Sequence, residues 1–149
     1  MTPVAFFLAV FALTVLAAVA WAIWQARFGH QLRSLARGWK MHYAEQDRFN
    51  LAARLARSFP VVGAADLRVS HVLYASREHR YVWLFTACWT VGVTRTQRRV
   101  CRAGTFSEPR ERDHAEAATP IELAPPGLNL LEQYVWLCQS IDKKAHRGG

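Results

Sequence analysis

No charged side chain occurs before Arg27; all 19 Lys and Arg and all 11 Asp and Glu follow Ala26. Lysine is scarce, at 3 residues against 16 arginines. The 3 cysteines, Cys88, Cys101 and Cys138, form no CxxC or CxxCH string, which argues against zinc knuckles and attached c-type haem. The chain also lacks GxSxG, HExxH, P-loop and GxGxxG strings, the usual marks of hydrolases, metalloproteases, NTPases and dinucleotide enzymes. It holds no internal repeat and no low-complexity tract. A length of 149 residues allows one modest domain and excludes a two-domain dehydrogenase or a barrel enzyme. No catalytic, metal-ligating or cofactor-binding set can be named from these residues.

What the N-terminus does have is a long apolar run. Pro3 to Trp24 reads PVAFFLAVFALTVLAAVAWAIW, with Thr14 as its one hydroxyl. A bilayer core of ~30 Å needs ~20 apolar residues in a helix. Pro3 stands near the start, where it breaks no helical hydrogen bond. Trp21 and Trp24 close the run, as interfacial aromatic belts do. A cleavable signal peptide is the rival, with Ala18-Val19-Ala20 as its cleavage site. Against it, Met1-Thr2-Pro3 carries no Lys or Arg, and the run exceeds the usual ~7–15 residues. The expectation is a retained span over residues 1–26.

Basic residues follow this run and none precede it. Arg27, Arg33, Arg37 and Lys40 form a membrane-surface cluster in a juxtamembrane segment, residues 27–39. Basic flanks remain cytoplasmic. The expected placement is therefore the bacterial inner membrane, single-pass, with the N-terminus outside and the C-terminal domain in the cytoplasm. Phe28, Leu32 and Leu35 share a helical face. Two readings fit this basic amphipathic stretch: docking on anionic lipid headgroups, at ~1 kcal/mol per nearby Lys or Arg, or a plain positive stop after the span.

Residues 40–142 read as a small α+β domain, with a tail over 143–149. Lys40 to Tyr43 is a candidate short strand. Asp47 to Phe59 reads as a helix capped by Asp47, with Phe49, Ala52, Ala53, Ala56 and Phe59 on its inner face. Pro60 ends it. Arg68–Ala75, Arg80–Val91 and Gln97–Phe106 are rich in β-branched and aromatic residues and are separated by polar or Gly-containing breaks. They predict a three-stranded antiparallel meander. In the middle strand Tyr81, Trp83, Phe85 and Trp89 fall on one face and Val82, Leu84 and Cys88 on the other. A strand apolar on both faces is covered on both. The Asp47 helix and a C-terminal helix over Asn129–Ile141 are the expected covers, the latter packing near the aromatic row. Ser107–Thr119, with Glu108, Glu111 and Asp113, reads as a solvated loop. Ile121 and Leu123 suggest an edge strand.

The pieces Leu73-Tyr74-Ala75-Ser76, Arg80-Tyr81, Leu84-Phe85-Thr86, Thr90-Val91-Gly92-Val93 and Arg95-Thr96-Gln97-Arg98-Arg99-Val100 resemble the middle of small, uncharacterised, single-span bacterial proteins of planctomycete type. The resemblance covers the middle third of the chain. It implies a β-meander in a membrane-tethered α+β domain and assigns no activity.

A hairpin turning at Thr94-Arg95 places Cys88 opposite Cys101, and a reducing cytoplasm would keep both as thiols. His71 shares a sheet face with Leu84 and reads as a packed histidine rather than a base or ligand. Arg95, Arg98, Arg99 and Arg102 cluster on the second hairpin as candidate partner-binding residues. Arg-plus-aromatic sheets bind single-stranded nucleic acid, but tethering to a membrane favours anionic lipid or an acidic protein face. The span holds no ionisable residue, the usual mark of a transport path. It does hold small residues, with Ala5, Ala9 and Ala12 at close-packing spacings. The leading expectation is a non-enzymatic accessory or scaffolding subunit of an integral membrane protein complex. The alternative is a membrane-tethered binding module for anionic lipid or a soluble partner, and an enzyme is the third class.

Overall fold

The computed structural model describes residues 2–77, 80–92, 95–109 and 120–147. It is a mixed α+β structure: one long N-terminal apolar helix leads into a five-stranded antiparallel sheet.

Helix α1 spans Pro3–Gly38, 36 residues without interruption, or about 54 Å at the α-helical rise. Thr2 caps its start and Pro3 occupies the first turn, where a missing N–H costs nothing. Its end is a Schellman turn. Lys40 takes a left-handed φ of 57°, its N–H donates to the Arg37 carbonyl, and the Met41 N–H donates to the Ala36 carbonyl at 2.7 Å. The apolar part, Val4 to Trp24, is exposed on all sides; α1 is the one helix among the described residues long and apolar enough to cross a membrane. Beyond it the helix changes role. Phe28, Leu32 and Ala36 are buried against the domain. The segment read as a separate juxtamembrane unit is thus the second half of one helix, and its apolar face is occupied by the protein itself.

The chain then turns back as β1 (His42–Gln46), and α2 (Leu51–Ala56) follows. Asp47 does cap α2: its carboxylate accepts from the amides of Leu51 at 2.8 Å and Ala52 at 3.0 Å. The helix is shorter than its periodicity suggests, and its inner face differs. Leu51 and Leu55 are buried while Ala53 and Ala56 are exposed, because two leucines remove more apolar area from water than two alanines.

Strands β2 (Ala65–Arg77), β3 (Arg80–Val91) and β4 (Arg98–Pro109) form the predicted meander. Two short edge strands widen it, β1 beside β2 and β5 (Glu122–Leu123) beside β4, in the order β1-β2-β3-β4-β5. Strand β4 takes in Ser107, Glu108 and Pro109, read from sequence as loop. Glu108 is not simply solvated: it pairs with Arg54 and accepts from Trp83 Nε1 at 3.2 Å. Glu111 and Asp113 lie outside the described residues. Helix α3 covers Leu130–Arg147, so Lys143 and Lys144 continue the helix rather than open a tail.

Two cores lie on opposite faces of the sheet. One holds Trp83, Phe85, Trp89, Phe106 and Val72 under Leu51 and Leu55 of α2. The other holds Leu73, Leu84 and Ala103 under Phe28, Leu32 and Ala36 of α1 and Tyr134, Leu137 and Cys138 of α3. The aromatic row is therefore core, as expected, but its cover is a correction. Helix α3 packs on the Leu84 face and leaves the aromatic row to α2. The aliphatic face is flatter and admits two helices side by side, whereas Phe49 and Phe59 around α2 supply edge-to-face partners for Trp83 and Trp89 at centroid distances of 4.8 and 5.0 Å.

Cys88 pairs with Cys101 across the β3–β4 hairpin, as the turn position predicts. Their Cα atoms are 4.1 Å apart and the two residues are disulfide-bonded. This corrects the expectation of two free thiols: strand register alone brings the sulfurs together. Cys138 is the free cysteine, buried in the α1–α3 core.

Candidate functional site

The most concentrated polar arrangement sits where α1 enters the domain. Strand β2 carries an irregularity between Ser70 and Leu73, and His71 there has a left-handed φ of 51°. A bulge at this point takes one residue out of the ladder. The His71 carbonyl accepts instead from the buried hydroxyl of Tyr134 on α3 at 2.7 Å. Tyr134 has a single hydroxyl hydrogen and spends it there, so Thr86 on β3, 2.6 Å away, donates to Tyr134 Oη. The His71 ring turns toward α1. Its Nδ1 lies 2.8 Å from the Tyr43 hydroxyl on β1, and its ring meets Phe28 edge-on at 5.0 Å. The Arg33 guanidinium stands 5.4 Å over the Tyr43 ring, within cation–π range.

Burial sets the protonation states. Desolvation lowers the His71 pKa, against a smaller opposing pull from Glu45, so the ring is neutral at neutral pH. Desolvation, helped by Glu45 and opposed by Arg33, raises the Tyr43 pKa. Complete burial raises that of Tyr134, outweighing the hydrogen bond from Thr86. The Cys138 thiol is likewise pushed up to about 12 by burial. These groups are thus held protonated or neutral, and each polar atom named meets another on a different element. Four elements, α1, β1, β2 and α3, are joined to β3 in this way.

Open space near the joint is a groove between α1 and α3, lined by His30, Gln31, Ser34, Leu35, Leu131 and Val135. It is shallow and faces outward. The half-open cavity beside Trp39, Arg77 and Cys138 measures about 10 Å³, room for one water at most. Among the described residues no three His, Cys, Asp or Glu side chains converge to hold a metal ion.

The residues singled out in the sequence fall into three places. Trp21 and Trp24 are exposed on α1, their rings tilted at a centroid distance of 5.4 Å, and Trp24 stacks on Phe28 at 6.0 Å. Arg27, Arg33, Arg37 and Lys40 are all exposed, the three arginines on α1 and Lys40 in the turn after it. The four hairpin arginines do not act as one group. Arg102 Nε donates to the Ala124 carbonyl at 3.0 Å and holds the chain after β5. Arg99 pairs with Asp66 at 3.3 Å. Arg95 and Arg98 are exposed. The joint around Tyr134 was not legible from sequence, because Tyr134, Thr86 and Tyr43 lie far apart in the chain. The one available signal was His71, next to the apolar run Val72-Leu73-Tyr74-Ala75 of β2.

No family model matches the chain, and no curated protein or solved structure matches it.

Proposed function

We propose that this chain is a single-span, non-enzymatic accessory subunit of a larger integral membrane protein complex, with a rigidly mounted α+β domain. The observation that carries the reading is α1 itself. Its exposed apolar half runs without a break into a half whose apolar face is domain core. A flexible linker would let the domain roam; a continuous helix fixes its height and bearing on the membrane. The exposed half carries no ionisable group and has Ala5, Ala9 and Ala12 along one side. That suits close helix–helix packing rather than conduction. The basic cluster and the exposed hairpin arginines also keep open the second reading, a tethered module for anionic lipid or a soluble partner.

We place the domain in the cytoplasm and the N-terminus outside. Four basic residues follow the apolar half and none precede it, and this bias sets orientation on insertion. The Cys88–Cys101 bond pulls the other way, since disulfides persist on the oxidising side of a membrane. The placement rests on the charge bias, and a Cys88–Cys101 bond that persists in the native protein would overturn it. On this placement a membrane-impermeant maleimide added to spheroplasts leaves a cysteine introduced at Arg37 unlabelled. Labelling from outside overturns the orientation.

The subunit reading is tested in mild detergent. The native protein should co-migrate with other membrane proteins far above its own 16.9 kDa, and Ala9→Leu with Ala12→Leu should release it. Migration alone, unchanged by these substitutions, favours the tethered module.

A further inference from the structure

We propose that the end of the sheet formed by Arg57, Val62, Arg68, Arg95 and Arg98 docks on the anionic lipid headgroups of the leaflet from which α1 emerges; the proposal rests on the reading of α1 as a membrane span. The direction of the strands places this end. Along α1, Phe28 meets His71 of β2, and eleven residues later the Trp39 carbonyl accepts from Arg77 of the same strand. Strand β2 and the second half of α1 therefore run the same way, out from the apolar half of the helix. Going back along β2 from His71 to Ala65 covers about 20 Å at the strand rise, in the direction of the apolar half of α1. Ala65 pairs with Thr90, and Thr90 with Arg99. The turn end of the β3–β4 hairpin lies there too.

Helix α2 leads to the same end. Phe49, before it, rests on Trp83, and Phe59, after it, rests on Trp89. The α2–β2 connection thus descends toward Thr90 and the hairpin tip. At its turn Val62 is 99% exposed, the most exposed large apolar residue outside α1. Gly63, with φ 78°, follows it.

The chemistry at this end matches a lipid surface. Arg57, Arg68, Arg95 and Arg98 are exposed, and Arg57, Arg95 and Arg98 have no ion-pair partner among the described residues. Asp66 is engaged by both Arg68 and Arg99, which leaves a cationic excess. Arginine forks suit phosphate oxygens, and such attraction acts within a Debye length of the leaflet, ~8 Å at physiological ionic strength. A bare valine between arginines is the pattern of a shallow apolar insertion. A headgroup layer would shield Val62, 99% exposed, from water.

The test uses the full chain in vesicles, with Val62→Cys carrying an environment-sensitive fluorophore. In phosphatidylcholine vesicles containing phosphatidylglycerol, the emission should shift to the blue and be quenched by shallow spin-labelled lipid. Arg95→Glu with Arg98→Glu should abolish both effects, as should high salt, while the circular dichroism spectrum stays the same. Emission typical of water in the phosphatidylglycerol-containing vesicles overturns the docking, and so does quenching that survives the double reversal. Failure of the protein to float with vesicles overturns the span reading as well, so the two failures are told apart.

Discussion

Trp83 occupies the middle of β3, 6% exposed, with Phe49, Tyr74 and Phe106 around its ring and its Nε1 hydrogen bonded to Glu108. Truncating a buried Trp to Ala costs about 3–5 kcal/mol, against a total of ~5–15 kcal/mol for an ordinary domain. Trp83→Ala should therefore unfold the domain or lower its denaturation midpoint steeply. A folded variant that has lost only a partner would make the row an interface. At His71 the same scale yields a pH effect. Its folded pKa lies below the usual 6.5, because burial disfavours the imidazolium. The unfolded chain binds the proton more readily, so His71 contributes stability that is fully present above pH 6.5. That stability is lost as pH falls toward the folded pKa. Glu45, Arg33 and Tyr43 are the ionisable neighbours. Denaturation between neutral and mildly acidic pH should show stability falling with acid, and His71→Gln should flatten the slope. An unchanged slope would mean that the ring titrates freely.

Among the elements, α1 divides in function near Gln25. Deleting residues 1–24 removes only exposed apolar side chains and should leave a folded, soluble domain. Deleting residues 1–39 also removes Phe28, Leu32 and Ala36 from the core. At roughly 1.5–3 kcal/mol for each large apolar side chain, that loss should unfold it. Thermal melts followed by circular dichroism distinguish the two; a stable domain without residues 1–39 would reduce α1 to a detachable anchor. The elements also show how far the sequence carries. The three long strands were legible because alternation and β-branched content agree over twelve or so residues in each. The facing of Cys88 and Cys101 followed from the turn, but their bond did not. The cover of each face was not legible. Val82, Leu84, Trp83 and Phe85 make both faces of β3 apolar, so periodicity cannot say which helix goes where. The inner face of α2 was misread because three alanines fit the helical spacing as well as Leu51 and Leu55 do. The joint around His71 depends on a bulge and on side chains from five elements, which no local pattern encodes.

For the whole molecule, height above the bilayer is the quantity that matters. On the proposed reading one helix passes from lipid into the protein core, a row of ring contacts runs from Trp21 through Trp24 and Phe28 to His71, and the sheet turns its basic end back toward the span. On that reading, a subunit built this way would present its domain to neighbouring membrane proteins at a fixed level. The most direct measurement is a nitroxide scan along α1 of the full chain in vesicles, one label at a time from Val4 to Gly38. The account predicts oxygen accessibility without aqueous-relaxant accessibility from Val4 to about Trp24. Labels at Phe28, Leu32 and Ala36 should then be immobilised, in helical phase with the positions before them. Water accessibility in the middle of the apolar half, or a loss of helical phase between Trp24 and Phe28, would contradict a single rigid helix joining membrane to domain.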